Sequence, residues 1–343
     1  MKPTIVKGSP SKELRFALVG CGRIAQSHLE AMAALDDVKL AVVVEPREGA
    51  GKAVAEQYGC RLYPDCRSPE VFDQIDAAVI CAPPSVHFET AKTFLESGVH
   101  VLCEKPLTIT SNDAVDLVKA ADARGLQLMM ASKFRYVDDV IKAKAIAESG
   151  ILGNLILYEN TFCSKVLMKD RWNSQKNMSG GGVLIDNGTH SVDIARYLLG
   201  PIKEVQAQNG IPAQGLEVED TVRLQFRTVG GVIGMVDLSW TINKESDVYI
   251  SLFGSEGTLH VGWNGSRYRQ DGNSKWVSFG TGYNKLNAFK SQLQNFRDCI
   301  LGRKLPLITP EDALASVQVI ESAYKSAAIN HWAPVATPVG ALP

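Results

Sequence analysis

The stretch that decides the fold is Phe16-Ala17-Leu18-Val19-Gly20-Cys21-Gly22-Arg23-Ile24-Ala25. A short apolar run leads into a loop that fits G-x-G-x-x-G/A, and a helical pattern follows. In such a loop Gly20 permits the tight turn, Gly22 lets the backbone approach a pyrophosphate, and Ala25 allows close helix–strand packing. The helix N-terminus, with Arg23 and Ile24, favours the anion. The stretch predicts a dinucleotide-binding turn; a generic strand–turn–helix is the alternative.

Strand-like and helix-like segments alternate from Arg15 to about Met130. The predicted strands are Phe16–Val19, Leu40–Val44, Ala77–Cys81, Val99–Leu102 and Leu126–Met130. The predicted helices are Gln26–Leu35, Gly51–Tyr58, His87–Ser97 and Asn112–Arg124. Continuous apolar strands between helices indicate a parallel sheet that is covered on both faces. We therefore expect an α/β fold with a doubly wound Rossmann domain over residues 15–133, after a flexible arm of residues 1–14.

The pattern of predicted secondary structure changes beyond about Val140. Thr221–Arg227 alternates apolar and polar residues, Gly230-Gly231 makes a turn, and Val232–Trp240 returns. A second hairpin, Asp247–Phe253 and Thr258–Val261, flanks residues 254–257. The predicted helices of this half are Gly182–Leu199, Asn284–Leu301 and Pro310–Asn330. Residues 134–330 are therefore predicted to form an α+β domain with an antiparallel sheet, followed by a C-terminal tail of residues 331–343.

Composition excludes several classes of function. The chain has 343 residues, 36 Lys and Arg against 37 Asp and Glu, and a net charge of −1. Neither a nucleic-acid footprint nor a membrane-binding patch is indicated, and no apolar run is long enough to span a bilayer. The seven cysteines have no metal-finger spacing. We expect a cytoplasmic protein, with no metal, no nucleic-acid partner and no membrane association.

Glu45 and Arg47 follow the second predicted strand. Glu45 lies 20 residues beyond Ala25, where an acidic side chain accepts hydrogen bonds from the adenosine ribose and repels a 2′-phosphate. Arg47 acts the other way, because a nearby arginine accommodates that phosphate. These residues favour NAD over NADP and leave NADP open. The alternative is that they form a solvated pair of loop charges.

Two further segments lie at the carboxyl ends of predicted strands, the edge where ligands bind in an open α/β sheet. In Cys81-Ala82-Pro83-Pro84-Ser85-Val86-His87, the prolines fix a rigid loop, which suits contact with a nicotinamide ribose. Pro83, Pro84 and His87 are therefore candidate cofactor contacts, and a plain turn is the alternative. Glu104-Lys105-Pro106 places two charges beside the nicotinamide, where Lys105 can hydrogen-bond a reacting oxygen; an ordinary surface ion pair is the alternative.

A glycine run, Gly180-Gly181-Gly182, precedes a helical pattern that carries Asp186, Asn187 and His190. Asp186 and His190 are spaced i and i+4, so they share one face of the helix. A histidine beside a carboxylate is suitable for general acid–base catalysis. The spacing also permits a metal, but no third ligand is arranged, so no metal is predicted.

Together these motifs resemble the Gfo/Idh/MocA family, named for glucose–fructose oxidoreductase, inositol dehydrogenase and the rhizopine catabolism protein. The resemblance rests on the Gly20–Ala25 loop, residues 83–87, Glu104-Lys105-Pro106 and residues 180–190, and it covers about residues 15–330. It implies a large, open, mostly antiparallel C-terminal sheet that often forms the interface of a homodimer or homotetramer. It also implies that Lys105, Asp186 and His190 approach the reacting carbon. Arg135 lies where relatives carry an Asn-Arg or Arg-Arg segment, and is a candidate contact at the domain junction.

These residues lead to the hypothesis of an NAD-dependent dehydrogenase that works in either direction, and the resemblance implies a sugar, an inositol or a nucleotide-linked sugar as its substrate. His190 takes the hydroxyl proton with Asp186 orienting it, and Lys105 stabilises the oxyanion or is itself the base. The candidate substrate contacts, besides Lys105, Asp186 and His190, are Arg135, Arg171, Trp172, Asn173, Asn187 and Tyr283. A mere surface loop is the alternative for residues 171–173. An NAD-assisted glycosidase and a non-catalytic NAD-binding regulator remain alternative functions.

Overall fold

The computed structural model describes residues 13–336. Most of the arm expected at residues 1–14 and residues 337–343 of the expected tail therefore lie outside the described residues. Strand β1 already begins at Leu14, and Ala333–Pro334 forms a short strand that pairs with the second sheet.

Six parallel strands form the first sheet, in the order β3-β2-β1-β4-β5-β6. The strands are β1 Leu14–Val19, β2 Val38–Val44, β3 Arg61–Tyr63, β4 Ala77–Ile80, β5 His100–Glu104 and β6 Leu128–Ala131. The helices between them are α1 Arg23–Ala33, α2 Glu48–Tyr58, α3 Pro69–Phe72, α4 His87–Glu96 and α5 Ser111–Asp122. This is the strand order of a Rossmann fold, and the doubly wound parallel sheet is confirmed.

Nine strands form the second sheet, in the order β14-β13-β12-β11-β7-β10-β9-β8-β15. The strands are β7 Leu155–Cys163, β8 Ile202–Asn209, β9 Thr221–Thr228, β10 Ile233–Ser239, β11 Val248–Gly254, β12 Gly257–Gly262, β13 Ser266–Gln270, β14 Val277–Gly280 and β15 Ala333–Pro334. All neighbours are antiparallel except β7 and β10, which run parallel. The large, mostly antiparallel sheet is confirmed.

Five helices accompany this sheet and connect it to the first. They are α6 Asp138–Glu148, α7 Lys176–Ser179, α8 Val183–Leu199, α9 Lys285–Ile300 and α10 Pro310–Ile329. Helix α8 packs on the strands of the second sheet, and α9 packs against α1 of the first half. Helix α10 contacts α5, α8 and β8, so it touches both halves. The predicted boundary at residue 133 stays a prediction.

The two hydrophobic cores share the C-terminal helices. The first core contains the strands β1, β2, β4, β5 and β6, together with Phe289, Leu293 and Phe296 of α9. The second core contains the inner residues of α8 and of strands β7 to β12, together with Val319 and Ile320 of α10. None of the helices within residues 13–336 is long and apolar enough to cross a bilayer.

Candidate active site

The glycine loop fits against the end of β4. Gly20 has φ +87°, a conformation that favours glycine, and a Cβ added there would lie 3.0 Å from the backbone nitrogen of Ala82. Gly20 therefore serves the turn and the close approach of two strand ends, and it lies behind the cleft rather than on its wall.

Gly22 faces open space at the N-terminus of α1. A Cβ added to Gly22 would meet no atom within 4 Å, and α1 begins without a side-chain hydrogen bond at its cap. The first amide groups of the helix are thus left for an anion, and a side chain at residue 22 would occupy the space in front of them. Arg23 and Ile24 line the same cleft. These observations fit the pyrophosphate of a dinucleotide.

Glu45 and Arg47 form a closed pair at the end of β2. Glu45 is buried, and its Oε2 accepts hydrogen bonds from the amide of Cys21 at 2.7 Å and from Arg47 Nη2 at 2.9 Å. Oε1 accepts from the amide and Nε of Arg47. Burial raises the pKa of Glu45, but the hydrogen bonds from Arg47 and Cys21 outweigh it and the pKa falls below its usual value. The carboxylate is ionised yet engaged, while Arg47 borders the cleft.

The proline loop after β4 is divided between the cleft and the interior. Pro84 lines the cleft and Pro83 precedes it as the cap of a 3₁₀ turn. His87 is buried, with Nδ1 2.8 Å from the carbonyl oxygen of Pro106 and Nε2 2.8 Å from that of Ala82. Against expectation, the imidazole does not reach the cleft. It joins two loops, because both ring nitrogens are engaged by backbone carbonyls.

Glu104 ends β5 under the cleft floor. Its Oε1 lies 2.8 Å from His28 Nε2, and its Oε2 accepts from the amide of Lys105. Burial raises the pKa of Glu104, but His28 and the nearby lysines outweigh that effect and hold the pKa below its usual value. The buried carboxylate stays ionised and supplies negative charge beneath Lys105.

Lys105 and Asp186 meet across the cleft. Lys105 Nζ contacts Asp186 Oδ1 and donates to the Asp186 carbonyl oxygen at 3.1 Å. The two side chains are only 14% and 22% exposed, so the pair is partly screened from water. This contact joins the end of β5 in the first sheet to the first turn of α8. The fold thus brings together two residues that are 81 positions apart in the sequence.

His190 lies one turn along α8 from Asp186 and also lines the cleft. Asp186 was expected to orient His190, but within residues 13–336 the two side chains are not hydrogen-bonded, and the Asp186 carboxylate engages Lys105 instead. The buried Nδ1 of His190 has no hydrogen-bond partner within residues 13–336, and the ring packs edge-on against Phe134. Burial, followed by the charges of Lys105 and Lys133, holds the pKa of His190 well below its usual value. The imidazole is therefore neutral at pH 7 and can accept a proton or a hydrogen bond.

Lys133, the second residue after β6, lines the same cleft and was not singled out from the sequence. Burial is the main cause that lowers its pKa to about 8; Lys105 and Lys285 lower it further, while Glu104 and Asp186 raise it. The available signal was a lysine two residues after the last strand of the parallel sheet, at the same carboxyl edge as Lys105 after β5.

One cleft of about 760 Å³ between the two sheets is bordered by Gly22, Arg23, Ile24, Arg47, Pro84, Glu104, Lys105, Lys133, Asp186 and His190. The predicted substrate contacts Arg171, Trp172, Asn173 and Asn187 also line it. Tyr283 does not belong to its wall; it stacks on Phe134 with ring centroids 5.2 Å apart, one layer behind. Within residues 13–336, no group of three or more His, Cys, Asp or Glu side chains is arranged to hold a metal ion.

Arg135 is placed away from the cleft, which corrects the expectation of a substrate contact. Its Nε donates to Asp193 Oδ2 at 2.9 Å, and its Nη1 donates to Asp312 Oδ2 at 2.9 Å and to the carbonyl oxygen of Leu307. The Arg135 side chain is 2% exposed and that of Asp193 is 0% exposed. Its donors are used to tie the segment after β6 to α8 and α10.

The sequence matches two family models that together cover most of the chain. Residues 14–132 match the oxidoreductase family with an NAD-binding Rossmann fold, and residues 140–260 match the GFO/IDH/MocA C-terminal domain. The chain belongs to the GFO/IDH/MocA family. Its first half is thus an NAD-binding Rossmann domain of an oxidoreductase family.

Relatives of this GFO/IDH/MocA protein include enzymes of sugar and polyol chemistry. It is 29% identical to scyllo-inositol 2-dehydrogenase (NADP(+)) IolU of Bacillus subtilis over 62% of this chain and 66% of that protein. It is 25% identical to the rhizopine catabolism protein MocA of Rhizobium meliloti, over 90% and 93% of the two chains. The crystal structure of GenD2 from gentamicin A biosynthesis, in complex with NAD, is similar with a TM-score of 0.85, 26% identity and coverage of 98% and 100%.

The family assignment agrees with the geometry of the glycine loop, in which Gly22 and the uncapped helix α1 leave room for a pyrophosphate. NAD is the cofactor that the family model and the GenD2 complex share. The name of IolU specifies NADP instead.

Proposed function

We propose that this protein is a dehydrogenase that transfers hydride between a nicotinamide dinucleotide and a secondary alcohol or ketone carbon of a sugar, an inositol or a nucleotide-linked sugar. The observation that carries the proposal is the meeting of Lys105 and Asp186 across the cleft, with neutral His190 one helical turn away. A purely nucleotide-binding protein has no need for a lysine, a carboxylate and an unpartnered imidazole on the substrate side of its Rossmann domain.

The residues have separate tasks in this proposal. Bound NAD supplies the hydride acceptor, held by Gly22, Arg23, Ile24 and Pro84, and NADP is the less favoured cofactor. The Lys105 ammonium donates a hydrogen bond to the substrate oxygen and stabilises the charge that develops there. Asp186 holds that ammonium in place.

The proton of the reacting hydroxyl goes to His190, whose imidazole is neutral and has no hydrogen-bond partner within the described chain. Lys105 is the competing base, because a neutral amine at the same place would accept the proton equally well. In the reverse direction the same groups return the proton to the carbonyl oxygen.

The substrate lies over the second sheet in this proposal. Trp172 is 40% exposed and offers a flat apolar face for a sugar ring, while Arg171, Asn173 and Asn187 offer polar contacts beside it. The names of the relatives support this substrate class, since they include inositol, glucoside and levoglucosan dehydrogenases.

The test is a screen of sugars, inositols and UDP-sugars with NAD and NADP, followed by absorbance at 340 nm and product analysis. We expect NAD reduction with at least one polyol and a fall in kcat of about 100- to 1,000-fold in Lys105→Ala, the effect of removing one oxyanion donor. Lys92→Ala, a lysine on α4 that does not line the cleft, is the control. Full kcat and KM in Lys105→Ala would contradict the role of Lys105.

The same screen separates the two alternatives. An NAD-assisted glycosidase would release sugar while the absorbance at 340 nm stayed flat. A regulator would bind NAD and a sugar without forming any product, and either outcome would replace the dehydrogenase.

We also propose that the protein is cytoplasmic and a homodimer or homotetramer through its second sheet, with no nucleic acid or membrane as partner. The seven cysteines are free, which suits a reducing compartment. Ile156, Leu157 and Ile233 are exposed on the adjacent central strands β7 and β10. Sedimentation of the wild type and of Ile233→Glu tests the interface, because the charged variant should dissociate.

A further inference from the structure

Lys133 is a cleft cation that makes no direct ion pair with a carboxylate within the described residues. Its side chain is partly buried, and among residues 13–336 it forms no hydrogen bond and no ion pair. Its Nζ lies 5.3 Å from the ring centroid of Phe134, 6.0 Å from that of Tyr283 and 5.4 Å from that of Phe289. Aromatic faces attract an ammonium, but they do not provide the oxygen acceptors that an anion would supply to its N–H groups.

The nearby carboxylates are already engaged. Glu104 is hydrogen-bonded to His28, and Asp186 contacts Lys105. Lys105 and Lys285 add positive charge around Lys133, and the lowered pKa of Lys133 is the consequence of burial together with these cations. Keeping an ammonium charged in such surroundings costs free energy, and an anion that binds beside it offsets that cost.

The strand order separates the backbone of Lys133 from the glycine loop, where a cofactor pyrophosphate is expected. Lys133 follows β6, whereas Gly22 follows β1, and the sheet order places β4 and β5 between these strands. Three strand spacings separate the two ends by about 14 Å. The backbone of Lys133 therefore lies on the side of Lys105 that is away from the glycine loop, where an anionic group of a second ligand can approach it.

We propose that Lys133 binds an acidic group of the substrate, so that the substrate is a polyhydroxylated molecule carrying a carboxylate or a phosphate. Arg171 and Lys285 border the same cleft and likewise make no ion pair within the described part of the chain, which adds to the attraction for an anion. The proposal rests on the dehydrogenase function and narrows its substrate class from neutral sugars and inositols to sugar acids and sugar phosphates.

The experiment compares matched ligands on the complex of the full enzyme with NADH. The ligands are D-glucose, D-glucuronate and D-glucose 6-phosphate, together with D-galactose, D-galacturonate and D-galactose 6-phosphate, which differ within each set only at C6. The change in NADH fluorescence gives the dissociation constant of each ligand. Lys133→Met removes the charge with little loss of volume, Lys133→Arg keeps it, and Lys92→Met removes a lysine that lies 5.5 Å over the Phe88 ring outside the cleft.

We expect an acid to bind at least tenfold more tightly than its neutral parent, because charge-assisted hydrogen bonds are the strong ones. Comparing the sugar acids with the sugar phosphates shows whether Lys133 prefers a carboxylate or a phosphate. Lys133→Met should bring the ratio close to one without changing the NADH dissociation constant more than twofold, and Lys133→Arg and Lys92→Met should retain it. Equal binding of every acid and its parent in the wild type, or an unchanged ratio in Lys133→Met, overturns the proposal. If the acid proposal fails in this way but a neutral inositol still reduces NAD, the proposed dehydrogenase function is retained.

Discussion

Arg135 is predicted to stabilise the fold and not to bind substrate. Its guanidinium and the carboxylate of Asp193 are 2% and 0% exposed, and only Ser132 Oγ also donates to that carboxylate. Arg135→Met would leave Asp193 as an uncompensated buried charge, which costs about 3–5 kcal/mol. At about 1.4 kcal/mol per tenfold, the unfolded fraction rises roughly 100- to 4,000-fold. Urea unfolding followed by fluorescence measures the loss.

Three comparisons make this prediction sharp. Arg223→Met should cost at most about 1 kcal/mol, because Arg223 is 52% exposed and Asp237 keeps Lys244 as a second partner. Arg135→Met combined with Asp193→Leu should recover much of the loss, because no buried charge is left alone. The substrate KM of the folded Arg135→Met enzyme should stay within about threefold of the wild type. Unchanged stability together with a KM raised more than tenfold would refute the reasoning and return Arg135 to the substrate site.

Three further predictions follow from the site. The Gly22→Ala variant should fold normally, but calorimetry should show an NAD dissociation constant raised at least tenfold, because the added methyl lies in front of the amides of α1. The control variant Gly230→Ala, at an open hairpin position, should leave the NAD dissociation constant unchanged. Below pH 6.5 the folded protein, which holds His190 neutral, binds fewer protons than the unfolded chain. The free energy of unfolding should therefore fall as the pH drops, and His190→Gln should reduce that slope by up to about 1.4 kcal/mol per pH unit; an unchanged slope would contradict a buried neutral ring. Glu45→Ala should raise the ratio of kcat/KM for NADP to that for NAD at least tenfold by freeing the Arg47 guanidinium, and Arg47→Ala should lower it; equal ratios would exclude this pair from cofactor choice.

Local pattern was enough to predict most of the architecture. Buried parallel strands are continuous apolar runs, so the strand ending at Val19 and that ending at Val44 were placed to within two residues. The helix predicted at Gly182–Leu199 is observed as Val183–Leu199. Strand β7 was missed because its exposed Ile156 and Leu157 break the alternation of a half-buried strand.

The candidate site was less predictable because its contacts are made across the chain. Lys105 was assigned from its position after a strand, but its partner Asp186 was paired with His190 on local spacing alone. The sequence suggests a ligand contact at Arg135, but in the structure its guanidinium donates to Asp193 and Asp312, which lie 58 and 177 residues away in the sequence. Lys133 was overlooked because its aromatic surroundings are completed by Phe289, which the sequence separates widely from β6.

Helix α9 has a consequence for the order in which the molecule can be made. Phe289 packs on His28, and Phe296 packs on Phe16 in the first strand of the chain. During synthesis the N-terminal sheet therefore emerges from the ribosome long before the helix that covers the outer side of α1. Until residues 285–300 have emerged, the apolar surface of α1 and β1 that α9 covers stays exposed on the nascent chain. The first hydrophobic core is therefore completed only late in synthesis.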